Sequence, residues 1–184
     1  MHNKLPAYFT FINSFKEEYI RKLDKKIAII YRNYEVEYDE KLILNIKETC
    51  KKYKKKFFLS NNLKLAVNLN LDGVYLPSFN KTLNFNKESF KKEFLIIGSA
   101  HSIKEIRIKE KQGAALIFLS PLFQTKKNKQ FLNPLRFNLL ASKTKKKIIA
   151  LGGITHLNYQ KLNLVNSYGF AGISYFEKGG RIKI

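Results

Sequence analysis

Short apolar runs recur along the chain at fairly even spacing: AYFTFI (7–12), IAIIY (27–31), KFFLS (56–60), GVYLP (73–77), FLIIGSA (94–100), ALIFLSPLF (115–123), KIIALGG (147–153) and FAGISYF (170–176). Most are continuous rather than alternating. A strand with one face in water alternates apolar and polar residues. A strand covered on both faces is apolar throughout, as in a parallel sheet clothed by helices. The runs therefore predict eight buried strands.

Helical periodicity fills the gaps. Ile43, Ile46, Lys47 and Cys50 share one face ahead of KFFLS, and Leu63, Ala66, Val67 and Leu71 share one ahead of GVYLP. The best-marked helix is SIKEIRIKEKQG. Ser102 caps it, Glu105 three residues on completes a capping box, Ile103, Ile106 and Lys109–Glu110 carry the period, and Gly113 ends it. Leu157, Leu162 and Val165 predict a further helix, ended by Gly169. The link SFNKTLNFNKESFKKE (78–93) lacks such a period, so a helix is shortened or missing there. QTKKNKQFLNPLRFN (124–138) reads as an insertion after the sixth strand.

Strands alternating with helices predict an α/β fold. The expectation is a single (β/α)8 TIM barrel over residues 1–184, small, with short helices and nearly bare loops. An open doubly wound sheet is the alternative.

Composition narrows the class. Apolar residues make up 45% and aromatic residues 14%, enough to build a core, so the chain is not disordered. No apolar run reaches the ~18 residues that a membrane span needs. The segment MHNKLPAYFTF lacks the features of a signal peptide. Cys50 is the lone cysteine and has no partner for an internal disulfide; it reads as a small buried hydrophobe. These points predict a cytoplasmic protein with no membrane partner. Oligomeric state has no signature in the sequence.

The formal net charge is +21. Dense positive charge suits phosphate partners through counterion release. Yet only five residues are arginine (21, 32, 107, 136 and 181), and arginine is the side chain best shaped for bidentate phosphate and base contacts. The lysines are spread along the chain. The runs KKYKKK and KTKKK stand just ahead of apolar strands, the pattern of a solvated face at strand entrances. Nucleic acid is therefore disfavoured as a partner, and small phosphorylated molecules in a positive cleft are favoured.

In such barrels chemistry sits where strands end. After the seventh run stand Gly152 and Gly153. Glycines there let backbone amides approach a ligand, and a helix start adds positive charge; the competing reading is a tight turn. After the eighth come Ile173 and Ser174, then Gly179 and Gly180. Loops after strands seven and eight form the recurrent phosphate site of this fold. The fifth run ends in GSAHS, with Ser99, Ser102 and His101, the last either a structural cap or a group that binds or moves a proton. The sixth is followed by Thr125, Lys126, Lys127 and Lys129, a clamp for pyrophosphate or a solvated loop. Arg32 follows the second run, and Ser60, Asn61 and Asn62 end or follow the third. His2 and His156 read as surface residues.

Absences bear on cofactors. The only aspartates are Asp24, Asp39 and Asp72, and Asp72 precedes its strand, at the wrong end for catalysis. Magnesium requires carboxylates together with substrate phosphates. The residues thus predict no protein-anchored metal and no certain cofactor. Zinc spacing, a P-loop and a GxGxxG fingerprint are all missing.

The order of motifs FFLSNNLKLAVNLNLDGVYLP, LIIGSAHSIKEIRIKEKQGAALIFLSPLFQT and IIALGGITHLN…GFAGIS, from about Ile27 to Phe176, resembles the family of thiamine phosphate synthase and its relative, the thiazole tautomerase TenI. The resemblance implies a (β/α)8 barrel. It implies coupling of a pyrimidine pyrophosphate to a thiazole phosphate, releasing pyrophosphate, or in the tautomerase a metal-free proton shift on the thiazole. By resemblance, Gly152, Gly153, Ile173 and Ser174 hold the thiazole or product phosphate. Ser99 and the loop Thr125–Lys129, with Lys127, face pyrophosphate. Arg32 matches the family's strand-two arginine, and His101 the tautomerase's candidate proton-transfer group. The chain departs from the pattern elsewhere. The family's Gln-Leu-Arg-Glu-Lys is IYRNY (30–34), keeping only the arginine, and its Asn-Asp is Ser60-Asn61. Its Gly-Gln-Glu-Asp is Pro77-Ser78-Phe79-Asn80. Both aspartates that hold Mg2+ in the family are asparagines here. These departures leave open a third reading, a barrel that binds a phosphate ligand without turnover.

Overall fold

Eight strands form where the apolar runs fall: β1 (Tyr8–Ile12), β2 (Ile27–Tyr31), β3 (Phe57–Ser60), β4 (Gly73–Leu76), β5 (Leu95–Ala100), β6 (Leu116–Leu119), β7 (Lys147–Leu151) and β8 (Gly169–Ala171). The structure, a computed structural model, describes residues 5–35, 37–85, 90–125, 129–179 and 182. Each strand pairs in parallel with the next in chain order, and β8 closes onto β1 through Tyr8↔Phe170 and Phe9↔Ala171. The open sheet is thereby excluded.

Strand alternation separates two cores. Phe9, Phe11, Ala28, Ile30, Phe58, Tyr75, Ile97, Leu116, Phe118, Ile149 and Ala171 fill the barrel interior. Their neighbours in sequence, among them Ile27, Ile29, Tyr31, Phe57, Leu59 and Ile117, pack outward against the helices. Both faces are dry, which is why the runs are apolar throughout. The interior is plugged by rings, with Phe9 and Phe118 centroids 4.8 Å apart, Phe11 and Tyr75 5.2 Å, and Tyr75 and Phe118 5.5 Å. Edge-to-face contacts of this kind fill a small barrel to its mouth.

The helices are short: α1 (Glu17–Lys22), α2 (Glu40–Lys52), α3 (Leu63–Asn68), α4 (Ile103–Lys111), α5 (Asn133–Ala141) and α6 (Ser174–Glu177). In α4 the Ser102 side chain accepts from the Glu105 amide, as the sequence predicts. The return half lands one residue early, because the Glu105 carboxylate takes the His101 N–H at 2.6 Å. No helix is found between β4 and β5 among the described residues.

Three expectations are corrected. Residues 124–138 are not wholly an insertion, since Asn133–Ala141 is the helix of the sixth unit, started by Pro134 and burying Phe137 and Ala141. The run FAGISYF is strand only to Ala171. Tyr175 and Phe176 are buried as helix residues, their rings each 5.4 Å from Phe170, so their apolarity reported burial and not strand. The helix expected from Leu157 to Val165 shrinks to a 3₁₀ turn, Tyr159–Leu164, and Gly169 opens β8 instead of ending a helix. The Asn158 side chain bonds both the Thr155 amide and the Gly153 carbonyl. That turn delays the helix and leaves Leu157 98% exposed.

Candidate active site

The aromatic plug ends at the C-terminal mouth of the barrel, and Arg32 closes it. Its guanidinium carbon lies 4.5 Å from the Phe11 ring centroid, and its amide donates to the Ile12 carbonyl at 2.8 Å. The side chain is half-buried, so the cation rests over the ring and still reaches the cleft. It lines a cleft of ≈ 340 Å³ with Asn13, Ser14 and Lys16 of the β1–α1 loop and Ile173 and Glu177 of the β8–α6 end. The cleft therefore joins two sequence-predicted residues, Arg32 and Ile173. Ser174 starts α6 beside them and is exposed.

Ser99 and Ser60 face inward. Both are buried. Ser99 shares a hydrogen bond with the Tyr75 phenol, which burial pushes up to about 12. Ser60 shares one of 2.9 Å with the Tyr34 hydroxyl, and its carbonyl accepts from Tyr38 at 2.7 Å. Burial lifts the Tyr38 phenol to about 12 as well, so both phenols stay neutral near neutral pH. The Tyr34 ring also meets Phe79 edge-on at 5.8 Å. Tyr34 is 52% exposed and Phe79 60%, two apolar rings standing over the mouth.

Asn61 and Asn80 meet directly. The Asn80 amide nitrogen donates to Asn61 Oδ1 at 2.8 Å, and Asn61 itself sits at φ 57°, its N–H on the Tyr75 carbonyl. Asn80 Oδ1 accepts from the Thr82 amide and from Gln112 Nε2. Both amide oxygens thus already have hydrogen-bond donors, and no carboxylate joins them among the described residues. This donor set does not fit the magnesium implied by the family resemblance, because a hard divalent cation selects anionic oxygens. Among the described residues no group of three or more His, Cys, Asp or Glu is gathered to hold a metal ion.

A buried ammonium holds this region in place. Lys109, on the inward face of α4, donates to the Pro77 carbonyl at 2.7 Å, the Asn80 carbonyl at 2.9 Å and Gln112 Oε1 at 2.9 Å. Burial pulls its pKa down to about 8. Gly98 makes room for it, since a Cβ there would stand 2.7 Å from Lys109 Cδ.

His101 is exposed after β5. Its Nδ1 lies 2.7 Å from the Ser120 carbonyl and 3.2 Å from the Ser120 hydroxyl. A carbonyl only accepts, so Nδ1 carries a proton, and in the neutral ring the lone pair falls on Nε2.

Gly152 and Gly153 have φ of 95° and 70°. A Cβ on Gly152 would lie 2.8 Å from Pro121, and one on Gly153 2.5 Å from the Phe123 and Gln124 carbonyl oxygens. The pair therefore locks the β7 end against the β6–α5 loop, aided by Phe123 N–H on the Gly152 carbonyl at 3.1 Å. Both glycines therefore make a tight turn at the β7 end. The helix start expected directly behind them is absent, because Asn158 delays the next turn to Tyr159. Thr125 lies at the edge of that loop, half-buried, and Lys129 is exposed. Lys126, Lys127 and Gly180 lie outside the described residues.

Sequence reasoning missed Asn13, Ser14, Lys16 and Glu177 in the cleft, the tyrosines 34, 38 and 75, and the Lys109 latch. Asn13 and Ser14 follow the first strand, so the rule of inspecting every strand end would have found them. Lys109 left a trace as a lysine on the apolar face of α4.

The chain matches the family model described as thiamine monophosphate synthase over residues 17–176. It is 30% identical over 181 residues to a thiamine-phosphate synthase of Pelagibacter ubique, covering 94% of this chain and 83% of that one. It is 27% identical over 160 residues to a thiamine-phosphate synthase of Fusobacterium nucleatum, covering 86% and 78%. A solved structure, thiamine phosphate pyrophosphorylase from Pyrococcus furiosus, shares the fold with a TM-score of 0.74 at 22% identity, over 91% of this chain and 84% of that one.

Proposed function

Since the chain belongs to the thiamine monophosphate synthase family, we propose that it joins hydroxymethylpyrimidine pyrophosphate to thiazole phosphate, giving thiamine phosphate and pyrophosphate. The observation that carries this reading is the cleft that unites Arg32 with Ile173, a fixed cation beside the β8 end. In the reaction the bond from the pyrimidine methylene to the pyrophosphate oxygen breaks, and its electron pair leaves with pyrophosphate. The pyrimidine stabilises the resulting cation, and the thiazole nitrogen lone pair forms the new bond. Arg32, with Thr125 and Lys129, meets the charge that grows on the leaving group, where preorganised positive groups lower the barrier most. The backbone at Gly152, Gly153, Ile173 and Ser174 takes the thiazole phosphate. Ser99, held by Tyr75, and Ser60 and Asn61 line the pyrimidine side.

A second reading has its own support. The Nδ1–H bond of His101 to the Ser120 carbonyl sets the neutral tautomer with its lone pair on Nε2, the form that a metal-free proton shift on a thiazole uses.

The deciding assay gives the protein both synthase substrates and measures thiamine phosphate. Product formation that falls sharply in Arg32→Gln supports the synthase. No product, with tight thiazole phosphate binding, refutes it. Tautomerisation that is lost in His101→Ala then supports the second reading, and binding without turnover in either assay identifies a ligand-binding barrel.

A further inference from the structure

Six lysines converge at the opposite, N-terminal end of the barrel. Lys47 and Lys51 of α2, Lys54, Lys55 and Lys56 before β3, and Lys91 before β5 line one groove of ≈ 340 Å³. Its single carboxylate is Asp72. The run KKYKKK (51–56), read from sequence as a solvated face, is thus gathered into a concavity by the turn between α2 and β3, where Lys54 takes φ 54°.

The charges are oriented but not neutralised. Lys56 alone is ion-paired, with Asp72 at 2.9 Å. Lys55 is buried, its ammonium on the Leu23 and Asp24 carbonyls at 2.7 and 3.0 Å, and Lys91 donates to the Asn70 carbonyl at 3.2 Å. Carbonyls orient an ammonium and leave its charge intact. The side-chain ammoniums of Lys47, Lys51 and Lys54 have no hydrogen-bond or ionic partner among the described residues. Like charges held in one groove repel, and a polyanion relieves that repulsion.

Three features define the ligand. The volume falls in the small-molecule range of roughly 300–1,000 Å³. No arginine lines the groove, so it lacks the fork that reads bases or clamps a duplex backbone. Phe57, its aromatic, is buried, so no ring is offered for base stacking. Lysines act as point charges and suit a short chain of phosphates. We propose that this groove binds a small oligophosphate anion at the face remote from the candidate active site.

The test titrates tripolyphosphate into the ¹⁵N-labelled full chain at about 150 mM salt, where long-range attraction is screened. Amide shifts are expected at residues 47–56 and 70–72. The dissociation constant at those amides should rise about tenfold or more in Lys47→Gln/Lys51→Gln/Lys54→Asn, with an unchanged circular dichroism spectrum. A control triple, Lys104→Gln/Lys111→Gln/Lys161→Gln, removes the same charge elsewhere and should leave binding within about twofold. Equal weakening in both triples overturns the proposal, as does the absence of shifts in the groove. Single-stranded RNA that occupies the groove and resists displacement by tripolyphosphate overturns it too.

Discussion

The side-chain amide of Asn80 donates to Asn61 Oδ1 at 2.8 Å, so two loops nineteen residues apart are joined by a neutral pair. The family resemblance read from the sequence matches these two positions to aspartates that hold magnesium. Two carboxylates at this separation repel, and one is forced to take up a proton unless a cation intervenes.

The first prediction follows from that contact. Asn61→Asp/Asn80→Asp should lower the unfolding midpoint without magnesium by several degrees, about 2–4 °C for each kcal/mol lost. Millimolar magnesium should restore it. The midpoint of the unmodified protein should not move over the same titration. Fluorimetric melting curves check both; a wild-type midpoint that climbs with magnesium would contradict the reading of the pair.

Arg32 should matter to ligand and little to fold. Among the described residues its bonds are to one ring face, by the side chain, and to one main-chain carbonyl, by its backbone N–H. Arg32→Met should lower kcat/KM for thiamine phosphate formation about 100-fold, with the melting midpoint within a few degrees. Arg32→Lys should recover only part of this, because an ammonium cannot lie flat on Phe11. Steady-state kinetics on the three proteins decide it.

Lys109 should give stability a pH dependence. Its folded pKa, about 8, lies below the ordinary 10.5, so between those values the unfolded chain binds the extra proton. Stability from this group is then lowest below pH 8 and rises as pH climbs towards 10.5. Lys109→Met should abolish that rise. It should also cost about 2–4 kcal/mol near neutral pH, because three acceptors each lose one donor, the Asn80 carbonyl keeping only Gln112 Nε2. Urea unfolding of both proteins across this pH range measures the difference.

Gly153→Ala should destabilise the barrel and not merely a ligand. Its Cβ would press on two carbonyl oxygens at φ 70°. The expected loss is about 2–4 kcal/mol, or roughly 5–15 °C in melting midpoint. An unchanged midpoint would mean that the β6–α5 loop yields freely.

Individual residues show how much was legible in the sequence. Cys50 was readable as a buried hydrophobe; it is 1% exposed, and burial raises its thiol to about 12. Asp72 was readable as a residue of the non-catalytic end, and it accepts from Lys56 and the Phe57 amide there. Lys55 was not readable: a lysine run predicts solvation, yet its ammonium is drawn onto carbonyls of the preceding unit. Tyr175 and Phe176 misled in the other direction, since apolarity records burial and not backbone conformation.

By itself the sequence determined eight buried strands alternating with helices, and the closure of β8 onto β1 came from the structure. Strands dry on both faces must be apolar along their whole length, and that demand is written locally, run by run. Only the tertiary structure decided the site. Closing the sheet brought Asn61 to Asn80, Lys109 to Pro77 and six lysines to one groove. Such contacts depend on where loops from different units meet, and a polar side chain carries no period that names its partner.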